Sequence, residues 1–133
     1  MSGRLLDTNH LGLAVRRGSP VFARLQSELK RGQRVGTIVP VLCEIEFGAC
    51  QVARPDVYRQ ALTDLLRMVR LWPLTLATAR LYGEIAFDLK QRGRVLSQVD
   101  IMLAALCREM DLTLVTTDHD FAALPWLKAE DWS

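Results

Sequence analysis

The chain reads as a single α/β domain over residues 1–133, a three-layer α/β/α sandwich around a central, mostly parallel sheet. Three observations predict that class. Short apolar runs of strand length occur at 4–6, 35–39, 71–76 and 112–115. The stretches between them repeat their apolar residues at the helical period, which is the layout of parallel β-α units. Half of the 133 residues are apolar, enough to bury one proper core.

The first strand, Arg4-Leu5-Leu6, runs straight into Asp7-Thr8-Asn9. In open parallel sheets the ligand crevice lies outside the carboxyl ends of the strands, so Asp7 faces the expected pocket. Asp7 also suits a helix N-cap, because His10-Leu11-Gly12-Leu13 can open a short helix behind it. A loop with Arg16, Arg17 and Gly18 leads to Ser19-Pro20, an N-cap followed by Pro at the first helical position; that helix should reach Lys30 and stop at Gly32. Residues 35–39 form a second buried strand. Pro40 opens a helix through Cys50, and Pro55-Asp56 opens the next, with Val57, Ala61, Leu62, Leu65, Leu66 and Val69 on one stripe. Residues 71–76 form a short strand that Pro73 confines to an edge. Thr78 starts a helix whose Tyr82, Ile85, Ala86 and Leu89 share a face and which Gly93 ends; residues 97–110 form another. Residues 112–115 are the clearest strand after the first, and 126–132 add a last short one. The chain has no repeat, low-complexity tract or linker.

Composition narrows the function classes. The longest apolar runs, such as residues 38–43, are too short to span a bilayer, and the first residues lack a signal-peptide layout; a soluble, cytoplasmic protein is expected. Cys43, Cys50 and Cys107 are odd in number, far apart and set in apolar helical patterns. That argues for buried free thiols, not for a zinc site or a disulfide framework. Net charge is only +2, yet 17 basic residues minus Lys30, Lys90 and Lys128 leave 14 Arg. Arg suits phosphate and base edges, which leans toward a nucleic-acid partner, and a G+C-rich genome gives the same bias.

The informative acids are those that the pattern turns toward the core. Glu44 lies three after Val41, next to Ile45 and four before Gly48, so it shares their face, while Glu46 lies about 200° round the helix. Asp100 lies three before Leu103 and four before Ala104, although Ser97-x-x-Asp100 also fits a capping box. Residues 112–121 repeat the opening design, an apolar strand running into Asp118 and Asp120, which equally suit a helix cap. If these acids converge, like charges about 4 Å apart repel by roughly 4 kcal/mol at an effective dielectric near 20. Apart from Arg4, no Lys or Arg stands in the four motifs, so a hard divalent cation, Mg²⁺ or Mn²⁺, is the economical counter-charge.

The ordered set Leu5-Leu6-Asp7-Thr8-Asn9, Val41-Leu42-Cys43-Glu44-Ile45-Glu46-Phe47-Gly48-Ala49, Val99-Asp100-Ile101-Met102-Leu103-Ala104-Ala105 and Leu114-Val115-Thr116-Thr117-Asp118-His119-Asp120-Phe121 resembles the PIN-domain ribonucleases. The resemblance is closest to the VapC-type toxins of bacterial toxin-antitoxin pairs, and it runs through the terminal Trp126-Leu127-Lys128-Ala129-Glu130-Asp131-Trp132 segment. It implies a Mg²⁺-dependent endoribonuclease with one or two ions, acting on RNA such as tRNA or rRNA and leaving a 5′-phosphate. Asp7, Glu44, Asp100 and Asp118 match the family's acidic quartet, with Asp120 able to share the task of Asp118. Thr8, Asn9 and Thr116 look like the polar residues that orient the acids. Arg16, Arg17, Arg31, Arg34, Arg92 and Arg94 are candidates for holding the RNA backbone. The resemblance further implies a cognate antitoxin docked on the early helices and a homodimer, with residues 57–71 one candidate interface.

Two rivals remain at this level. A metal-free ribonuclease would use His10 and His119 as an acid-base pair and would work in chelator. A PIN-like module kept only for RNA or protein binding would have lost its catalysis, against which the intact acids count.

Overall fold

The computed structural model describes residues 3–133, so the first two residues of the expected domain lie outside the described part. Strands β1 (Gly3–Leu6), β2 (Arg34–Thr37), β3 (Arg70–Leu71), β4 (Leu112–Val115) and β5 (Ala129–Glu130) form one sheet in the order β3-β2-β1-β4-β5. Every neighbouring pair is parallel. The helices are α1 (Thr8–Ala14), α2 (Pro20–Lys30), α3 (Val39–Ala49), α4 (Pro55–Leu66), α5 (Leu76–Gln91) and α6 (Gln98–Met110), and a 3₁₀ turn covers His119–Ala123.

Burial explains why the sheet lies in the middle. Leu5 and Leu6 are both 0% exposed, and consecutive strand residues point to opposite faces, so β1 is covered on both sides. Leu114 and Val115 repeat this on β4. The chain moves outward from β1 to β2 and β3, then returns across β1 to β4. Right-handed crossovers therefore put α1 to α4 on one face and α5 with α6 on the other. The helix contacts agree: α1 packs on α2 and α3, α3 on α4, and α5 on α6. The reversal of direction between β1 and β4 opens a crevice at their carboxyl ends.

Local chemistry sets the boundaries, with some departures from the sequence pattern. Asp7 directly follows β1 and caps α1, so its N-cap reading is realised. Ser19 caps α2 by accepting from Phe22 N, and Gly32 takes φ +79° beyond its end. Strand β3 is shorter than expected, because Pro73 offers no N–H and Thr75 is already committed as the N-cap of α5. That cap stands three residues before Thr78, whose hydroxyl accepts from Thr75 N in a reciprocal box. Val57 is 50% exposed and leaves the stripe at the first turn of α4, while Leu62 and Leu65 are buried. The thiols also divide: Cys107 is buried, and desolvation pushes it up to about 12, whereas Cys43 and Cys50 are exposed, contrary to expectation. Helix α3 buries Val41, Ile45 and Ala49, one residue every four; Cys43, two on from Val41, is about 200° away. No helix among the described residues is long and apolar enough to cross a membrane.

Two features of the sheet yield stability predictions. A Cβ on Gly36 in β2 would stand 2.6 Å from the Arg70 carbonyl oxygen and 2.7 Å from the Trp72 ring. Gly36→Ala should therefore destabilise the fold by about 1–3 kcal/mol in a denaturant titration, as overpacking does. On β5, Glu130 Oε1 accepts from Arg4 Nε at 2.6 Å and Trp132 Nε1 at 2.9 Å. Burial pushes its carboxyl up, but the hydrogen bonds from Trp132 and Arg4 and the Arg4 and Arg24 charges prevail and leave it below the usual range. A depressed carboxylate stabilises above its unfolded pKa, and that contribution is lost as pH falls through the folded value. Glu130→Gln should accordingly cost roughly 1–2 kcal/mol at pH 7, and the gap to the parent should close as the pH drops below the carboxylate range.

Candidate active site

Four acids approach one another at the carboxyl end of the sheet, each brought there by a different element. Asp7 follows β1, and its backbone N donates to Val115 O at 3.2 Å, which sets it beside Thr116 at the end of β4. Asp118 lies two residues further on, its amide donating to Thr116 Oγ1 at 3.0 Å, and its own Oδ1 caps the 3₁₀ turn by accepting from Asp120 N at 2.8 Å. Asp100 occupies the first turn of α6, where Ser97 Oγ accepts from its amide at 3.1 Å. Glu44 projects from α3, and Thr8 Oγ1 donates to its Oε1.

The first turn of α1 joins these pieces. On one side Thr8 reaches Glu44; on the other Asn9 Nδ2 donates to Thr117 Oγ1 at 3.4 Å. Asp7 is buried at 7% exposure, and its Oδ1 accepts from His10 N at 2.8 Å. The Asp-Thr-Asn run thus fixes one acid, orients a second and braces the loop that carries a third.

Electrostatics record the convergence. Half-buried Asp100 has its carboxyl held above the usual range, chiefly by burial. The Ser97 side chain pulls it back, and the negative charges of Asp118, Asp7 and Glu44 push it further up. Among the described residues none of the four carboxylates pairs with Lys or Arg; the basic side chain that meets one of them is the His10 imidazole, 3.3 Å from Asp7. The donor set is all oxygen and net negative, which fits a hard divalent cation. No three His, Cys, Asp or Glu side chains among the described residues close into a ready ligand shell. Mg²⁺ keeps several waters and takes only one or two carboxylates, so it does not require such a shell.

Other expected residues are placed less simply. Glu44 is exposed, not turned inward, because it stands 100° round α3 from Ile45, at the rim of a groove. Asp120 is exposed, and its charge is not among those acting on Asp100. Arg16 lines that groove with Thr8, Glu44 and Tyr58; burial raises the Tyr58 phenol and the Arg16 charge works against it. Arg17 lies 3.8 Å from Asp64 on α4. Arg92 is tied to Asp88 at 2.8 Å and to the Ala123 carbonyl at 2.8 Å, so it braces the 3₁₀ turn. Arg94 is exposed. Arg34 begins β2 level with Gly3, a strand length from the acids, and Arg31 holds the fully buried Glu28 at 2.6 Å; the structure does not bring these two to the cleft.

Sequence reasoning missed the partners of His10. Its ring is 0% exposed, so it cannot meet RNA as half of a metal-free acid-base pair. The available signal was the i, i+3 spacing from Asp7, which stacks the two on one face of a first helical turn.

Comparison with known proteins gives the family and the fold. The family model described as PIN domain matches residues 4–127. Ribonuclease VapC5 of Mycobacterium tuberculosis is 31% identical over 93 residues, 68% of this chain and 69% of that one. Ribonuclease VapC2 of Rickettsia felis is 22% identical over 129 residues, 96% of each chain. In the solved structures, VapBC2 from Rickettsia felis bound to a DNA fragment from their promoter aligns with a TM-score of 0.87 at 22% identity, over 98% of each chain; at that identity the likeness speaks for the fold. Since the family match spans nearly the whole chain and a VapC ribonuclease is 31% identical over about two thirds of each chain, the protein belongs to the PIN-domain family, among its VapC-type members.

Proposed function

We propose that this protein is a Mg²⁺-dependent endoribonuclease, the toxin of a toxin-antitoxin pair, with tRNA or rRNA as the class of substrate. The observation that carries the reading is that the charges of Asp118, Asp7 and Glu44 all bear on Asp100 with no Lys or Arg among the described residues paired to any of them. Relatives named as VapC ribonucleases, one of them a tRNA(fMet)-specific endonuclease, support the activity.

Asp7 and Asp100 would hold the ion, with Glu44 and Asp118 completing the set or taking up a proton through water. When bound, Mg²⁺ supplies an acidified water as nucleophile and neutralises charge on the leaving oxygen. Thr8 orients Glu44, Thr116 fixes the turn at Asp118, and Asn9 ties that turn to α1. Arg16, at the rim of the same groove, is placed to meet a backbone phosphate. Attack by water in line leaves a 5′-phosphate.

Partners follow from the same surface. The groove between α1, α3 and α4 is lined by Leu13, Ile45, Val52 and Tyr58 and rimmed by Glu44, so it suits an apolar antitoxin segment carrying an Arg toward the acids. Solved relatives include VapBC complexes, which supports such a partner. A homodimer is part of the same proposal.

The test is cleavage of single-stranded and folded RNA by the purified chain with Mg²⁺, with chelator, and with Asp100→Asn. Chelator should abolish cleavage and added Mg²⁺ should restore it. Asp100→Asn should lower kcat by on the order of 100-fold or more while RNA binding persists. Equal cleavage by parent and variant would refute the proposal.

A further inference from the structure

Behind Asp7 lies a buried group that the proposed chemistry leaves unused. His10 is 0% exposed, an imidazole in the core where an aliphatic side chain would pack without polar partners. Both ring nitrogens are engaged. Nδ1 lies 3.3 Å from Asp7 Oδ1, the oxygen that already accepts from His10 N at 2.8 Å. Nε2 lies 3.1 Å from Asp131 Oδ1 and accepts from Trp132 N at 3.2 Å. One ring therefore joins the acid at the end of β1 to the chain just after β5.

The hydrogen-bond network assigns the proton. In the neutral ring, the Trp132 amide fills the Nε2 lone pair and leaves the proton on Nδ1, facing Asp7. In the charged ring both nitrogens carry protons and both face carboxylates. The remaining tautomer would set the bare Nδ1 lone pair against Asp7 Oδ1. The neutral ring with its proton on Nδ1 satisfies Asp7 and Trp132, the charged ring satisfies Asp7 and Asp131, and the remaining tautomer satisfies Asp131 alone, so Nδ1–H donates to Asp7 in both favoured arrangements. Oδ1 is thereby held twice, and Oδ2, which makes no hydrogen bond among the described residues, is the oxygen left for the other acids and an ion.

We infer that His10 is a positioning residue: held at Nε2 by the Trp132 amide in the neutral ring or by Asp131 in the charged one, it holds Asp7 Oδ1 so that Oδ2 alone is presented to the cleft. This inference rests on the metal-dependent reading above. Groups that orient a metal-binding carboxylate typically change metal affinity or activity by 10–100-fold when lost.

Two substitutions separate the halves of the ring. Asn places an amide N–H where Nδ1 stands, and Gln places one where Nε2 stands. On helix grounds alone Gln is the better residue, since position 10 is the third of α1, where Gln can serve a capping box. A merely structural role therefore favours His10→Gln, and the clamp favours His10→Asn. Mn²⁺ binding to the full chain is measured by electron paramagnetic resonance without RNA, beside kcat and KM for cleavage and thermal unfolding. The expected result is that His10→Gln weakens Mn²⁺ binding and lowers kcat by about 10–100-fold with KM little changed, while His10→Asn recovers most of both. Equal Mn²⁺ binding by parent and His10→Gln, or equal losses in the two variants that track their unfolding temperatures, would overturn the clamp alone. A parent that binds no Mn²⁺ would remove the metal-dependent reading itself, and the clamp with it. Two-bond proton–nitrogen NMR of the parent's histidine rings needs no variant: a proton on His10 Nδ1 is expected, and a bare Nδ1 overturns the inference.

Discussion

The junction between β1 and α1 is the constraint on which the rest of the structure depends. β1 is the central strand, walled by Leu5 and Leu6 on opposite faces, and it ends on a buried carboxylate. Asp7 N bonds Val115 O, Asp7 O accepts from Leu11 N at 2.9 Å, and Oδ1 accepts from His10 N, so one residue closes the sheet, starts the helix and aims an acid. The next two side chains carry that order outward to Glu44 and to the loop before Asp118. Few positions in so small a domain engage so many elements at once.

This arrangement keeps like charges near one another against their repulsion. The scaffold supplies the resistance: parallel pairing of β1 with β4 fixes the separation of Asp7 and the Asp118 loop, and packing of α6 on β4 fixes Asp100. Meanwhile the arginines find other partners. Arg31 is spent on Glu28, Arg92 on Asp88 and the 3₁₀ turn, and Arg4 on Glu130. These three arginines are satisfied away from the acids, and among the described residues no Lys or Arg pairs with any of the four, which would suit a site that accepts a cation.

Much of this was legible in the chain because the decisive signals are local. An apolar run ending in Asp is visible at residue 7 and again at 118, and helical counting finds Asp100. Pro and Gly marked the helix starts and stops, since they act through the backbone itself. What escaped depends on tertiary placement. Glu44 and Cys43 were read as buried from periodicity, but α3 is covered along a single line of residues and its flanks stay open. Arg34 looked like an RNA contact until the parallel register set it at the opposite end of β2 from the acids. The link from His10 to Asp131 and Trp132 spans more than a hundred residues, and no local pattern encodes it.

The central claim is that this acid cleft is built to take a divalent cation. Anomalous X-ray diffraction from crystals of the protein equilibrated with Mn²⁺ tests it most directly. The account predicts a manganese peak within ligand distance of Asp7 and Asp100, on the side of Asp118 and Glu44. A peak only at other surface carboxylates, or none at saturating Mn²⁺, would contradict it.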